Sequence, residues 1–540
     1  MSEEDFEPRI VVFCCTGCAY ASADLSGATR LQYPPGVRIV RVLCAGRVDP
    51  YFVLRAFERG FDGVLIAACH PGDCRYHSGN EKAAQRVQML KELLGAIGID
   101  AKRLRLDYFA SVEGGKFAHR ITKFVNEVRN LGRNEVRVER PKDAPEELES
   151  IIADTAVYYC AECGKCTSIC PVSEAKPFSP RVTVGQALFG FTNDVEQVAF
   201  DCLTCGRCGD ICPAVVDFPE FIRRVRRRLL FESYEPNPSH GNLFVSSARI
   251  MSQTEVDGGM RRALFKELKT KARGELVYFT GCAPLYQFLF KDIGCAVDLP
   301  FERIGAEIAS IPRDAVFLMN RAGVTPAIAE REKCCGHDLY WIGDDETFRA
   351  LARYNATLLR ETGAKRVVCS CPEGYWILKQ KYPEFVEFDF EVLHISELLQ
   401  ELVERSDLQL GSAPADRERI SVTYQDPCRL GKLLGVYDAP RFLLQEAGFT
   451  LSEMAHAREI ANCCGGPNAW VGCGSAHRRM QLTRLEEATA TGSELLVTAC
   501  PKCQAHLRCA QLGDLPPGRS VKIEIKDLVT VLADAVREVH

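Results

Sequence analysis

Eight cysteines fall in two matching registers: C-A-E-C-G-K-C-T-S-I-C-P from Cys160 and C-L-T-C-G-R-C-G-D-I-C-P from Cys202. Thiolates two residues apart on one tight loop can face three irons of a single cube. The fourth, set off by an extra residue and followed by proline, reaches the other cube instead. The spacing therefore predicts two cubane [4Fe–4S] clusters. Cys160, Cys163, Cys166 and Cys212 hold one; Cys202, Cys205, Cys208 and Cys170 hold the second. Disulfides and zinc are the competing uses of cysteine, and neither explains this spacing occurring twice. The chemistry implied is electron conduction.

A second cysteine group lies near the N-terminus: Cys14, Cys15, Cys18, Cys44, Cys69 and Cys74. Residues 9–15, 37–44 and 63–69 read as buried strands and 103–108 as a fourth, with helical patterns at 50–59 and 81–98 between them. Such alternation predicts a parallel sheet with covered faces. Cysteine ends three of these strands in succession, at the edge where open α/β sheets bind ligands. Four or five thiolates gathered there suit a [2Fe–2S] cluster, which needs four; zinc is the alternative. Cys14 reads as a buried thiol beside the motif, and His70 and His77 as neighbours or surface groups rather than ligands.

The C-terminal part repeats. E-K-C-C-G-H at 332–337 answers A-N-C-C-G-G at 461–466, and Cys371 and Cys500 each follow 36 residues after the second cysteine of their pair. Cys282 upstream answers Cys428. Two pseudo-equivalent α/β halves follow. The second half offers five thiolates, Cys428, Cys463, Cys464, Cys500 and Cys503. Adjacent cysteines do not suit one face of a cube, so this set calls for a different cluster shape. The first half has Cys282, Cys334, Cys335 and Cys371, but Gly374 stands where the second half has Cys503. Four thiolates remain, enough for a cluster of ordinary ligation. Cys369 answers Thr498 and leaves its strand on another course. Cys295, Cys473 and Cys509 lie outside every motif and read as buried thiols.

These elements imply a multidomain α/β protein of 540 residues with 27 cysteines, a count that in a reducing compartment favours metal ligation over disulfides. The expected domains are a parallel α/β block at 1–140, a mostly helical dicluster ferredoxin block at 145–270, and duplicated α/β halves at 275–405 and 418–540. Polar or proline-marked segments at 141–147, 235–241 and 406–418 separate them. The net charge of −5 argues against nucleic acid as a partner. No apolar run suits a membrane span or a signal segment, which predicts a cytoplasmic protein. The segment 218–231 carries Arg223, Arg224, Arg226, Arg227 and Arg228, read either as a solvated helix face or as a docking face for an acidic redox partner. No glycine-rich dinucleotide fingerprint is present, so flavin or NAD is expected on a partner.

Three stretches carry a family resemblance: C-C-T-G-C-A-Y from Cys14, R-V-L-C-A-G-R-V-D-P from Arg41, and D-G-V-L-I-A-A-C-H-P-G-D-C-R-Y from Asp62. They resemble the delta subunit of methyl-viologen-reducing hydrogenase. The resemblance implies a [2Fe–2S] cluster on Cys15, Cys18, Cys44, Cys69 and Cys74, in a module that links an electron source to a flavin-containing heterodisulfide reductase component. The duplicated part resembles the CCG domain of heterodisulfide reductase catalytic subunits and of iron–sulfur subunits of glycolate, lactate and glycerol-3-phosphate oxidases. That likeness implies a noncubane [4Fe–4S] cluster on Cys428, Cys463, Cys464, Cys500 and Cys503, the cluster type that cleaves a disulfide in the reductases. A second cluster in the first half is the corresponding expectation.

The whole chain resembles a fusion of the hydrogenase delta subunit with the two small heterodisulfide reductase subunits. The expected function is that of an electron-transferring component of a soluble heterodisulfide-reductase-like complex. It would pass electrons between a flavin-containing, electron-bifurcating partner, similar to the large A-type component of heterodisulfide reductase, and a noncubane site that reduces a disulfide. Hydrogenase, formate dehydrogenase or another oxidoreductase is the expected further partner. The alternatives are a relay without its own substrate, which Gly374 favours, and the iron–sulfur component of a 2-hydroxy-acid oxidase, which the N-terminal block argues against.

Overall fold

The computed structural model describes residues 6–138, 146–231, 243–289, 301–411, 420–466, 475–512 and 521–538. The chain forms two compact units. One comprises the described residues of 1–139, 240–257 and 288–294; the other comprises the rest.

The first unit is built on a parallel sheet of β1 (Ile10–Cys15), β2 (Val37–Val42), β3 (Gly63–Ala68) and β4 (Leu104–Tyr108), in the order β2-β1-β3-β4. All six residues of β1 and of β3 are buried, which is why both central strands read as unbroken apolar runs. The helix Pro50–Glu58 starts with Pro50 at its first position, and the Asp49 carboxylate accepts from Tyr51 N–H at 2.8 Å. The helix Gly114–Asn130 buries Phe117, Ile121, Phe124, Val125 and Val128, one stripe at helical spacing. The helix Leu243–Gln253 also belongs to this unit. Its Arg249 lies 3.7 Å from the buried Glu58, which Arg55 also holds at 2.6 Å.

The second unit contains short helices around the eight-cysteine stretch and two further parallel sheets. One sheet comprises β5 (Leu276–Phe279), β6 (Ala327–Ile328), β7 (Arg366–Cys369) and β8 (Glu391–His394) in the order β6-β5-β7-β8. The other comprises β9 (Ser421–Gln425), β10 (Thr450–Leu451), β11 (Leu495–Thr498) and β12 (Glu524–Asp527) in the order β10-β9-β11-β12. The same order twice is the duplication seen in three dimensions. Even the exits match: His394 ends β8 and caps the next helix through Ser396 N–H at 3.2 Å, and Asp527 ends β12 and caps the next through Val529 N–H at 2.9 Å. Proline opens the helices Pro372–Trp376 and Pro501–Leu512 directly after Cys371 and Cys500.

Neither reading of the arginine run holds. On the helix Phe218–Phe231, Arg223 bonds Asp345 at 2.6 Å and Glu220 at 2.7 Å, and Arg224 grips Glu146 and Asp154. Arg227 lies 3.5 Å from Asp345, and Arg228 lies 3.2 Å from Glu196. Arg226 is fully buried and donates to the carbonyls of Ala199, Cys202 and Trp341 at 2.9, 2.6 and 3.0 Å. The five guanidinium groups clamp the dicluster region internally and to the first half. Of the segments expected as linkers, 141–145, 235–241 and 412–418 lie outside the described residues, as do Cys295 and Cys473.

Candidate iron–sulfur sites

None of the described cysteines is joined in a disulfide. In each ferredoxin-like loop two residues take a left-handed backbone: Glu162 and Gly164 in the first (φ 52° and 76°), Thr204 and Gly206 in the second (φ 50° and 82°). Alternating left- and right-handed residues turn successive N–H groups into one concavity, a form that suits anionic clusters. Thr204 N–H accordingly donates to Cys202 Sγ at 3.3 Å. Gly206 suits its place because its φ is positive; a Cβ there would also press on the end of the Leu433 side chain, at 2.6 Å.

The eight cysteines line two adjoining cavities. Cys160, Cys163, Cys166 and Cys212 surround the first, with Cys208 at its edge; Cys170, Cys202, Cys205 and Cys208 surround the second. The fourth cysteine of each run thus crosses to the other set. Burial pushes the Cys202 thiol up to about 12 and also raises Cys208 well above the ordinary thiol value. Four thiols converging on each of two adjoining cavities, none of them in a disulfide, are donor sets that fit metal clusters.

In the second half, Cys428, Cys464, Cys500 and Cys503 line one cavity, and Cys463 hydrogen-bonds Cys428 at its wall. Hydrogen bonds from Cys463 and Cys503 hold the Cys464 thiol down to about 6, against its burial. Bonding to Cys464, then burial, raises Cys503 well above the thiol range, and Cys463 does the same to Cys428. Gly465 N–H donates to Cys463 Sγ and Cys503 N–H to Cys500 Sγ, each at 3.4 Å.

The first half repeats the adjacent pair: Gly336 N–H donates to Cys334 Sγ at 3.4 Å, bonding with Cys335 holds the Cys334 thiol below the usual range, and Cys282, Cys335 and Cys371 are raised, each with a neighbouring thiol of the set among the causes. Cys369 ends β7 fully buried near Glu332, apart from this set, and Cys509 is half-buried rather than buried. At Gly374, where the other half has Cys503, a Cβ would meet only Cys371 Cβ, at 3.9 Å, so a side chain's first carbon fits there.

Between the two halves lies a buried charged layer. Lys502, which follows Cys500-Pro501, occupies the place in its repeat that Glu373 occupies in the other, and the two pair at 2.6 Å. Lys502 also bonds Asp338 at 2.9 Å, and His337 Nδ1 lies 3.3 Å from both carboxylates. His337, Asp338 and Glu373 have the makings of a cation site, but the Lys502 ammonium bonds both carboxylates and takes the cation's place. Burial, opposed by Lys502, raises the Glu373 carboxyl to about 7. Burial also works to raise Asp338; Lys502 and His337 outweigh it and hold that carboxyl below the usual range. Burial lowers His337 to about 3, so the ring is neutral. Motif spacing does not reveal this layer, although setting the repeats side by side pairs Glu373 with Lys502.

In the first unit, Cys15 and Cys69 lie 3.5 Å apart and Cys44 and Cys74 3.9 Å apart, and Cys18 bonds Cys69. All five thiols therefore gather at the carboxyl edge of β1 and β3. A Cβ at Gly79 would sit 2.2 Å from Cys44 Sγ, so the backbone itself closes against the thiols. Burial raises Cys14 far above the thiol range, as an isolated core thiol requires. His70 Nε2 pairs with Glu113 at 2.9 Å and His77 is exposed; both face away from ligation.

Three family profiles match the chain. That of the methyl-viologen-reducing hydrogenase delta subunit covers residues 10–132, a 4Fe-4S dicluster domain covers 151–217, and a cysteine-rich domain matches twice, at 276–379 and 422–508. The D-type iron-sulfur subunit of the F420-non-reducing hydrogenase of Archaeoglobus profundus is 47% identical over 132 residues, 24% of this chain and 96% of the relative. The A-type component of the ferredoxin:CoB-CoM heterodisulfide reductase of Methanosarcina mazei is 44% identical over 125 residues, 23% of this chain but 16% of that relative. The D-type component of the dihydromethanophenazine:CoB–CoM heterodisulfide reductase of Methanosarcina barkeri is 29% identical over 278 residues, 50% of this chain and 61% of the relative.

Proposed function

Because the chain belongs through residues 10–132 to the methyl-viologen-reducing hydrogenase delta-subunit family, and is an iron–sulfur electron-transfer component of the heterodisulfide reductase and hydrogenase kind, we propose that it carries electrons between a flavin-containing partner, similar to the A-type component of heterodisulfide reductase, and a cluster in its second cysteine-rich half. Cys15, Cys18, Cys44, Cys69 and Cys74 supply the ligands of a [2Fe–2S] cluster. Cys160, Cys163, Cys166 and Cys212 hold one cubane, and Cys202, Cys205, Cys208 and Cys170 the other. Cys428, Cys463, Cys464, Cys500 and Cys503 hold a noncubane [4Fe–4S] cluster that supplies electrons to a disulfide. The flavin partner bifurcates the electrons it receives.

The observation that carries this reading is contiguity. Cys166 of the first cubane set lies close enough to Cys208 of the second to raise its proton affinity; Cys205 does the same to Cys463, and Cys500 to Cys371. The thiolate sets therefore run first cubane, second cubane, second half, first half. The protein's own groups complete the site: Pro372 and Glu373 of the first half close the cavity of the second, and Lys502 holds Glu373 there.

Iron and sulfide quantitation with low-temperature EPR on anaerobically purified chain tests the proposal. A paramagnetic signal that appears on adding thiol or disulfide supports substrate chemistry at the second half. Loaded clusters with no such response favour the second reading, a relay that feeds another enzyme, which the open corner at Gly374 supports. Iron-free folded protein would refute both.

A further inference from the structure

Arg429 is 1% exposed, follows Cys428 directly, and touches three parts of its unit at once. Its guanidinium donates to Thr204 Oγ1 at 2.8 Å and to the Thr204 carbonyl, in the loop between Cys202 and Cys205. Its Nε donates to His337 Nε2 at 3.2 Å. The guanidinium also lies 4.7 Å from the ring centre of Trp341 and 5.7 Å from that of Trp376, two indoles stacked at 5.1 Å in the first half. A buried guanidinium is costly unless its donors are used, and here all three nitrogens have an acceptor, two of them on Thr204.

Nothing in the cysteine motifs requires an arginine at 429, and packing alone does not require one that reaches across to the second loop. We propose that Arg429 is the positioning residue of inter-cluster electron transfer: it fixes the Cys202–Cys205 loop against the Cys428 set and provides a short bonded path, Thr204 to guanidinium to the Cys428 peptide, between the two. The first half then serves as the cage that holds this side chain in place. Arg207 and Asn462, bonded at 2.9 Å beside Cys208 and Cys463, make a second contact across the same junction, so the two surfaces stay together when Arg429 is altered. The step is a one-electron transfer. A cluster held by Cys170, Cys202, Cys205 and Cys208 would supply the electron and one held by Cys428, Cys463, Cys464, Cys500 and Cys503 would take it up, with no proton or bond exchanged.

The inference rests on the cluster assignment proposed above. Its test uses the full chain, purified anaerobically, as wild type, Arg429→Lys and Arg429→Met. Iron content, spin–spin broadening between the second cubane and the Cys428 cluster, and the rate of electron equilibration after flash reduction are read on each. Lysine keeps the charge but cannot bond Thr204 twice and His337 together. Both variants should hold wild-type iron while broadening weakens and equilibration slows by about tenfold or more, equivalent to ~1.4 kcal/mol of barrier. Iron-loaded variants with wild-type broadening and rate overturn the inference alone; an iron-free wild type overturns it together with the reading beneath it. Should the arginine variants fail to load, Thr204→Val removes one acceptor and leaves the carbonyl, and an unaltered rate there overturns the inference equally.

Discussion

Replacing Lys502 by methionine interrogates the charged layer between the two halves. The ammonium is 4% exposed and lies 2.6 Å from Glu373 and 2.9 Å from Asp338. Methionine keeps most of the stem and removes the charge, leaving carboxylates of 6% and 9% exposure in the same cavity. Breaking a buried ion pair from one side costs ~3–5 kcal/mol. Glu373 limits that loss, because burial already raises its carboxyl to about 7 even with Lys502 opposing it. Without the ammonium its folded value rises further. A carboxyl with a raised folded value binds more protons folded than unfolded, so stability falls as pH rises from the ordinary carboxylate range through the folded value. Wild type completes this loss near pH 7, and the variant continues to lose stability above it. The parent itself loses about one pH unit's worth of this term between about pH 6 and about pH 8, so at up to ~1.4 kcal/mol per pH unit the gap between variant and parent should widen by no more than about 1.4 kcal/mol over that range. Anaerobic urea denaturation followed by circular dichroism, with iron content checked at each pH, measures it. The double variant Lys502→Met/Glu373→Gln should recover most of the deficit, since a neutral pair no longer strands a charge. A deficit under ~1 kcal/mol at both pH values, or one that does not change with pH, refutes the reasoning.

Other outcomes follow from the same structure. Burial raises the Asp527 carboxyl to about 8, only partly offset by the Val529 N–H it caps, so it disfavours the fold increasingly as pH rises from about 4 to about 8. Asp527→Asn keeps the cap and should flatten that part of the stability–pH profile by up to ~1.4 kcal/mol per pH unit. Gly374→Cys places a thiol in an open corner beside Cys371, and should change the EPR spectrum of the first half or raise iron per chain without loss of stability. Arg226→Met strands the carbonyls of Ala199, Cys202 and Trp341; a loss of about 3–5 kcal/mol by denaturation is expected, with iron lost first from the second cubane.

Much of this was legible beforehand because it is local. Two of the three strands leading to cysteines appeared in the sequence as apolar runs, since β1 and β3 are buried on both faces and have no polar side to alternate; β2, also expected to be buried, is instead an edge strand with only Val37 buried and Arg38, Val40 and Arg41 exposed. The duplication showed in the repeated cysteine pair, and the sheets bear it out strand for strand. The arginine run misled because charge on a helix normally marks solvent; here acidic groups such as Glu146, Glu196 and Asp345 come from segments far along the chain. No membrane-spanning helix is present among the described residues.

What the sequence alone determined is which three thiols of each ferredoxin-like run face one cavity. A loop of a few residues spans too little distance to offer any other geometry, so C-x2-C-x2-C names its own cavity. Which set stands next to which was decided only on folding. Chain order places the first half directly after the ferredoxin loops, whereas Cys205 faces Cys463, in the second half, and Thr204 meets Arg429 across 225 residues. The two halves carry the same sheet and nearly the same motif, so local propensity does not distinguish them. The distinction comes from a handful of partners, buried Arg429 with its indole cage and half-buried Arg207 with Asn462, whose bonds form only when distant surfaces have already met.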